Sequence, residues 1–419
     1  MKGVGLRVGW PLAAAVGMAL SCLAGAASAE DIDGAEALFL GDIVPVGHWG
    51  ARLETRYLTI DQYYNNKGHR ESLTADLDGV ALDAGTIPLL AAFGPGATLG
   101  TVDLQGRLEG LRHRLTVGYG LTPNLSVGAI IPFGILKTRV GHFAIQGGNL
   151  ALNPAFDPGQ PIGTSNPPVV PVGTLGTTEP VGTEGVQELI SNPIYGYAYE
   201  RFESTQTSGL LDPSIGLRWR FYHGRQDSAY FTPSIRVGMT KQDDPDNLVD
   251  AQLDDGSNDL VLELGYSRLL GLGWDLRLQA KYTQQRPDKV TARVHGVNET
   301  LVPASRKEHV RRDLGDALES GVEGGYRSGD WRTHLALEFL RRGQDHYHSA
   351  KGSDVAGLEE DTRRSSDMWR LGVDWNGMRA WREGRLPLPL FVSVDVRRIY
   401  RATNVVDARD LFLTVTALF

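Results

Sequence analysis

The sequence predicts an all-β protein: one up-and-down antiparallel β-barrel of about 12 strands, crossing a membrane. Three observations lead there. Period-two runs recur along the chain, short and long connections alternate between them, and aromatic residues bracket one face of the runs. A chain of 419 residues is long enough for one large closed β structure. Its 51 Gly, 14 Tyr and 8 Trp, without helical blocks, point the same way.

The first 29 residues read as a cleaved export signal. Lys2 and Arg7 precede an apolar stretch that ends in Ala27-Ser28-Ala29, a small-residue cleavage site before Glu30. Cys22, the one cysteine, lies in this leader, which excludes thiol catalysis and Cys-based zinc sites beyond it. Residues 30–47 are expected to form a periplasmic N-terminal segment, and 48–419 the barrel. The formal charge of −8 leaves no electrostatic footprint for nucleic acid. No later apolar run reaches the 18 or so residues a membrane helix needs, so any crossing is made by strands.

The last strand is the clearest. Leu411, Leu413, Val415, Ala417 and Phe419 share one face, and Phe412, Thr414, Thr416 and Leu418 the other. The same alternation runs through 211–221, 274–282 and 331–339. Further strands are expected near 48–62, 107–119, 125–138, 228–240, 258–268, 314–326, 367–375 and 389–400. Short connections at 120–124, 223–227, 270–273, 327–330 and 376–388 alternate with long ones at 65–105, 140–209, 241–257, 287–312, 343–366 and 401–408. Tight turns on one rim and long loops on the other are what a membrane barrel produces. Trp274 and Tyr282, like Trp331 and Phe339, lie eight steps apart on one face, a height of roughly 20 Å. Tyr119, Phe221, Tyr266, Tyr326, Trp375 and Phe419 sit near the short turns, as a girdle would.

The segments YGLTPNLSVGAIIPF (119–133), LLDPSIGLRWRFY (210–222), YFTPSIRVGMT (230–240) and IVPVGHW (43–49) resemble the outer-membrane barrel family named for the MetA pathway of phenol degradation. The resemblance implies a porin-like protein for small, aromatic compounds, and it carries over no catalytic or binding residue. The terminal Phe419 likewise resembles the signal read by the barrel-assembly machinery. The resemblance places the chain in a Gram-negative outer membrane, with the lipid bilayer, lipopolysaccharide and a small-molecule solute as partners.

If the apolar faces meet lipid, the opposite faces line the lumen. The lining set is Arg112, Arg114, Arg218, Arg220, Arg236, Arg277, Lys281, Glu319, Glu323, Arg332, Glu338, Arg370, Asp374, Asp395 and Arg397. Arg52, Glu54, Arg56, Asp212, Glu263 and Asp275 share those faces. Two readings follow: a mildly basic channel that favours anions or polar aromatics, or an inner salt-bridge network that fills the barrel. A plugged structural or surface-display barrel is therefore the alternative function, and an outer-membrane hydrolase a weaker one. Loop 140–209 is rich in Gly and Pro and is expected to stay irregular, either as a constriction or as an outer loop. Residues 86–93 (TIPLLAAF) form an apolar loop segment that either packs into the barrel mouth or meets a hydrophobic ligand. The acidic runs Asp243-Asp244-Pro245-Asp246, Asp254-Asp255 and Glu359-Glu360-Asp361 read as solvated charge or as sites for hard cations. His346-Tyr347-His348-Ser349 is the one catalytic hint and lacks an acid partner in the sequence. Phosphate-loop, dinucleotide and zinc signatures are absent, so neither an enzyme nor a cofactor is expected.

Overall fold

The computed structural model describes residues 43–297, 299 and 301–419. The expected leader 1–29 and most of segment 30–47 lie outside the described residues.

Twelve strands close into one barrel. They are β1 Trp49–Ile60, β2 Thr98–Thr122, β3 Leu125–Gln146, β4 Ser214–His223, β5 Asp227–Arg236 and β6 Asp259–Gly271. The second half comprises β7 Trp274–Gln285, β8 Ala317–Ser328, β9 Trp331–Arg342, β10 Arg364–Asn376, β11 Leu390–Thr403 and β12 Arg409–Leu418. Each pairs antiparallel with the next in sequence, and β1 closes on β12 from Gly50↔Leu418 to Thr59↔Arg409. Closure leaves no open sheet edge around the wall, the condition for a sheet to lie in lipid. One face of each strand carries the exposed large apolar residues, for example Ile215, Leu217, Trp219 and Phe221 on β4 or Trp331, Leu335 and Leu337 on β9. That face is the outside. At the turn between β6 and β7, Leu272 and Gly273 both take positive φ, the left-handed pair that suits a tight hairpin.

Two strand expectations are corrected. β2 and β3 are 25 and 22 residues long, well beyond 107–119 and 125–138. Their outer halves continue past the membrane because they have a core of their own to bury. Leu99, Val102, Leu104 and Ile145 pack with Leu82, Leu90, Leu150, Val169, Val186, Leu189, Ile190 and Phe202. Segment 86–93 supplies Leu90, on a short 3₁₀ helix, to this cap. The loop expected at 140–209 therefore begins only after Gln146 and is partly regular. It holds a helix, Gly182–Ser191, and a strand, Thr205–Leu210, that pairs with β3. A three-stranded outer sheet of Asp288–Arg293, Lys307–Asp313 and His346–Ser349 adds a second cap element.

At the opposite rim, residues 43–48 turn into the barrel. The Val44 amide donates to Ser126 Oγ, and its side chain would lie 3.2–3.3 Å from a Cβ at Gly50 or Gly118. Those glycines make room for the incoming chain.

Leu335 faces outward midway between Trp331 and Phe339, at the depth of the bilayer centre. Leu335→Arg is expected to lower the folding free energy into lipid by about 2–4 kcal/mol, whereas Thr59→Arg at the outer rim costs about 0–1 kcal/mol. Urea titration of barrels refolded into vesicles measures both.

Candidate functional site

The inner faces carry a nearly continuous layer of ion pairs. Arg332, 2% exposed, sits among three carboxylates: Asp275 at 2.6 Å, Glu323 at 2.5 Å and Asp374 at 2.9 Å. His334 lies 2.8 Å from Asp395 and 3.3 Å from Asp374. Arg370 reaches Asp395 at 3.0 Å and Glu338 at 3.8 Å. Arg397 reaches Glu338 at 3.4 Å and Asp410 at 2.8 Å, and Arg56 shares Asp410 at 2.8 Å. The guanidinium carbons of Arg56, Arg370 and Arg397 gather around the Phe412 ring, 5.8, 4.4 and 5.1 Å from its centroid.

Elsewhere on the wall Arg277 pairs with Glu323, Lys281 with Glu319, Arg114 with Glu54 and Arg218 with Glu263. Arg236 bonds Asp259 and Asp255. Two residues of the lining set stand apart. Arg220 turns to the short β2–β3 connection, donating to Pro123 O at 2.6 Å. Arg112 donates instead to the carbonyl of Leu253. His334 and Asp410 were not in the lining set. Carrying the alternation of β12 back one step from Phe412 reaches Asp410, and that of β9 reaches His334 between Arg332 and Glu338. Apart from Arg236–Asp255, which ties a strand to loop 237–258, each ion pair named here joins strands that are neighbours or next neighbours around the barrel. Among the described residues these pairs run along the wall.

The Arg112 bond identifies what enters the outer mouth. Loop 237–258, between β5 and β6, brings Ala251 and Leu253 against Leu58 and Ile60 of β1, Leu108 of β2, Leu136 of β3, Leu211 and Ala408. Since β1 lies five strands from β6 around the wall, the loop crosses the barrel mouth to reach them. Asp212 anchors it, accepting from the amides of Met239, Thr240 and Gly256 at 2.7–2.9 Å. Of the two readings offered for 140–209, a constriction or an outer loop, the structure draws its apolar residues into the cap, while the shorter acidic loop reaches the lumen. Glycine and proline content could not choose between them because it says nothing about where apolar residues find partners.

The acidic runs serve loop packing. Asp246 pairs with Arg293 and Lys307, and Asp361 accepts from Asn66. Carboxylate oxygens of Asp212, Asp254 and Asp255 lie within 4.8 Å of one another. Backbone amides occupy Asp212, and Arg236 supplies the countercharge, so this cluster fits a loop anchor. Ser349 Oγ accepts from the amides of Lys351 and Ser353 on the outer sheet, and His346 lies 3.7 Å from Glu359.

No protein-family model and no curated protein matches the chain. Among solved structures, an outer-membrane channel of Pseudomonas putida F1 aligns with a TM-score of 0.52 at 13% identity, over 93% of this chain and all of that one. The fold is that of a twelve-stranded outer-membrane β-barrel. The translocator domain of the Neisseria meningitidis autotransporter NalP (TM-score 0.37, 9% identity, 97% and 96% covered) shares less of this geometry. So does the toluene transporter TbuX of Ralstonia pickettii (0.35, 10%, 88% and 89%).

Replacing Arg332 by Met strands three carboxylates around a buried site. The substitution is expected to destabilise the barrel by about 3–5 kcal/mol; Lys281→Met, at a more exposed pair, costs about 1 kcal/mol or less. Urea unfolding of the two variants in one detergent separates the cases.

Proposed function

We propose that this protein is an outer-membrane channel for passive uptake of small molecules of the aromatic or hydrophobic class. It acts in a Gram-negative outer membrane, after export by the leader 1–29 and assembly through Phe419. One observation carries the reading: among the described residues the inner ion pairs named above join strands that are neighbours or next neighbours, so they run along the wall. A filled, structural barrel would gain most from ion pairs that cross the lumen. The wall then offers a solute guanidinium planes stacked on Phe412 and, at the outer mouth, the apolar side chains around Leu253. Such surfaces suit a flat, weakly polar molecule better than a hydrated ion. The likeness of 119–133 and 210–240 to the phenol-pathway family supports the same solute class. The chemistry is passage, not catalysis.

Loop 237–258 is the gate in this reading. Removing residues 248–253 while keeping the Asp212 anchor is expected to raise single-channel conductance in a planar bilayer. Equal conductance from a folded deletion barrel would overturn the gate, and a silent deletion barrel would overturn the channel.

The gate is also expected to respond to pH. Burial, helped by Asp250 and Asp244, pushes the Asp243 carboxyl up to about 6 from its ordinary 3.8. The docked loop therefore holds a proton that the released loop gives up. Docking is strongest in acid and weakens as pH rises from about 4 to about 6. Burial also raises Asp246, but Lys307 and Arg293 outweigh it and hold that carboxyl below the ordinary range, so its contribution changes only in stronger acid. Conductance at pH 5 should be lower than at pH 7.5, and Asp243→Asn should remove most of the difference.

A further inference from the structure

The outward faces of β9 and β12 follow one pattern. On β9 it runs Trp331, Thr333, Leu335, Leu337, Phe339 and then Arg341. On β12, read from its inner end, it runs Phe419, Ala417, Val415, Leu413, Leu411 and then Arg409. In both, an arginine stands ten residues from an aromatic at the short-turn rim, a height of about 25 Å. That is the thickness of the apolar band, so both guanidiniums lie where the hydrocarbon ends. Between them, on β11, a bulge opposite Asp367 turns Arg401 outward beside the exposed Tyr400.

These are not scattered surface charges. Asp367, its side chain 4% exposed, receives Arg341 at 2.5 Å and Arg401 at 2.6 Å, which holds two guanidiniums side by side. The arginines themselves remain 48% and 75% exposed. Arg409, 49% exposed, lies 3.4 Å from Asp61, and Arg398 is exposed on the same wall of β11. Four arginines thus meet two carboxylates, and the surplus positive charge faces lipid headgroups. Other strands differ at the same step. On β8 the tenth residue from Tyr326 is Asp316, bonded to Tyr282, and on β7 the tenth from Trp274 is Gln284. A second outward group, Arg107 and Arg139 bonded to Glu109, lies on β2 and β3, so the strip is distinguished by its spread over β9, β11 and β12 and not by base alone.

We propose that Arg341, Arg401 and Arg409, with Arg398 below them, dock the phosphate groups of a phosphorylated glycolipid in the outer leaflet. The assignment rests on the reading of the long-loop rim as the outer one. Guanidinium forks match phosphate oxygens, and the apolar band beneath, from Phe339 to Leu411, receives the acyl chains. Hydrocarbon contact below and paired charge at the boundary favour a lipid over a free anion.

Native mass spectrometry of the full-length barrel in detergent tests this, with bisphosphorylated lipid A and its dephosphorylated form as probes. The wild-type barrel should retain the phosphorylated lipid at about thirtyfold lower concentration, the net effect of four basic residues near a charged surface offset by two acids. The Arg341→Gln/Arg401→Gln/Arg409→Gln variant should lose that preference, while Arg268→Gln near the short-turn rim should keep it. Arg401→Gln alone should halve it or more, which covers a triple variant that does not fold. Equal retention of both lipids by wild type, or an unchanged preference in the variants, would overturn the assignment. So would displacement of the lipid by millimolar inorganic phosphate. Conductance is a separate readout: a silent barrel that still prefers the phosphorylated lipid would count against the channel and not against the strip.

Discussion

Everything in this molecule depends on the hydrogen-bonded seam between its first and last strands. Lipid offers no partner to a backbone N–H or C=O, so a sheet can lie in a bilayer only when its edges meet. Here the chain returns to its start. β1 bonds β12 along ten residue pairs, and the terminal Phe419 exchanges backbone bonds with Trp49 at 2.7 and 3.0 Å. With the wall closed, alternation decides the rest: one side chain in two must be apolar, and the other is free to be polar.

That freedom comes with a constraint. Charges on the inner face are half removed from water, and an unpaired one is costly. The sequence answers by placing acid and base on neighbouring strands, so that Arg277↔Glu323, Lys281↔Glu319, Arg332↔Asp374 and Arg397↔Asp410 are register partners. A pairing that satisfies charge locally keeps side chains against the wall. Selectivity can then be set at one place, the mouth, by a loop that the wall itself holds through Arg112 and Asp212.

Strand number and strand direction were legible because period two and the spacing of turns are local properties. Trp331 and Phe339 announce their face within nine residues. The extension of β2 and β3 beyond the membrane was not legible from those strands alone. It depends on Leu90, Val186 and Phe202, far along the chain, which give Leu99 and Ile145 something to pack on. Loop 237–258 escaped for the same reason. Its sequence reads as solvated acid, and only the placement of Leu253 opposite β1 and β2 shows where it goes. Arg112 looked like its neighbour Arg114, yet one holds a loop carbonyl and the other Glu54.

In the proposed channel, loop 237–258 closes the lumen, and a reversible lock across the mouth is the experiment to make. Cys22 is the one cysteine of the sequence, and the leader that holds it is expected to be removed, so cysteines introduced by Leu58→Cys and Leu253→Cys would be the only pair in the exported chain. Single-channel recording under oxidant and then reductant should show conductance fall as the disulfide fixes the loop across the mouth, and recover when it is cut. Conductance that is the same in both states, with the disulfide confirmed by mass, would contradict the account.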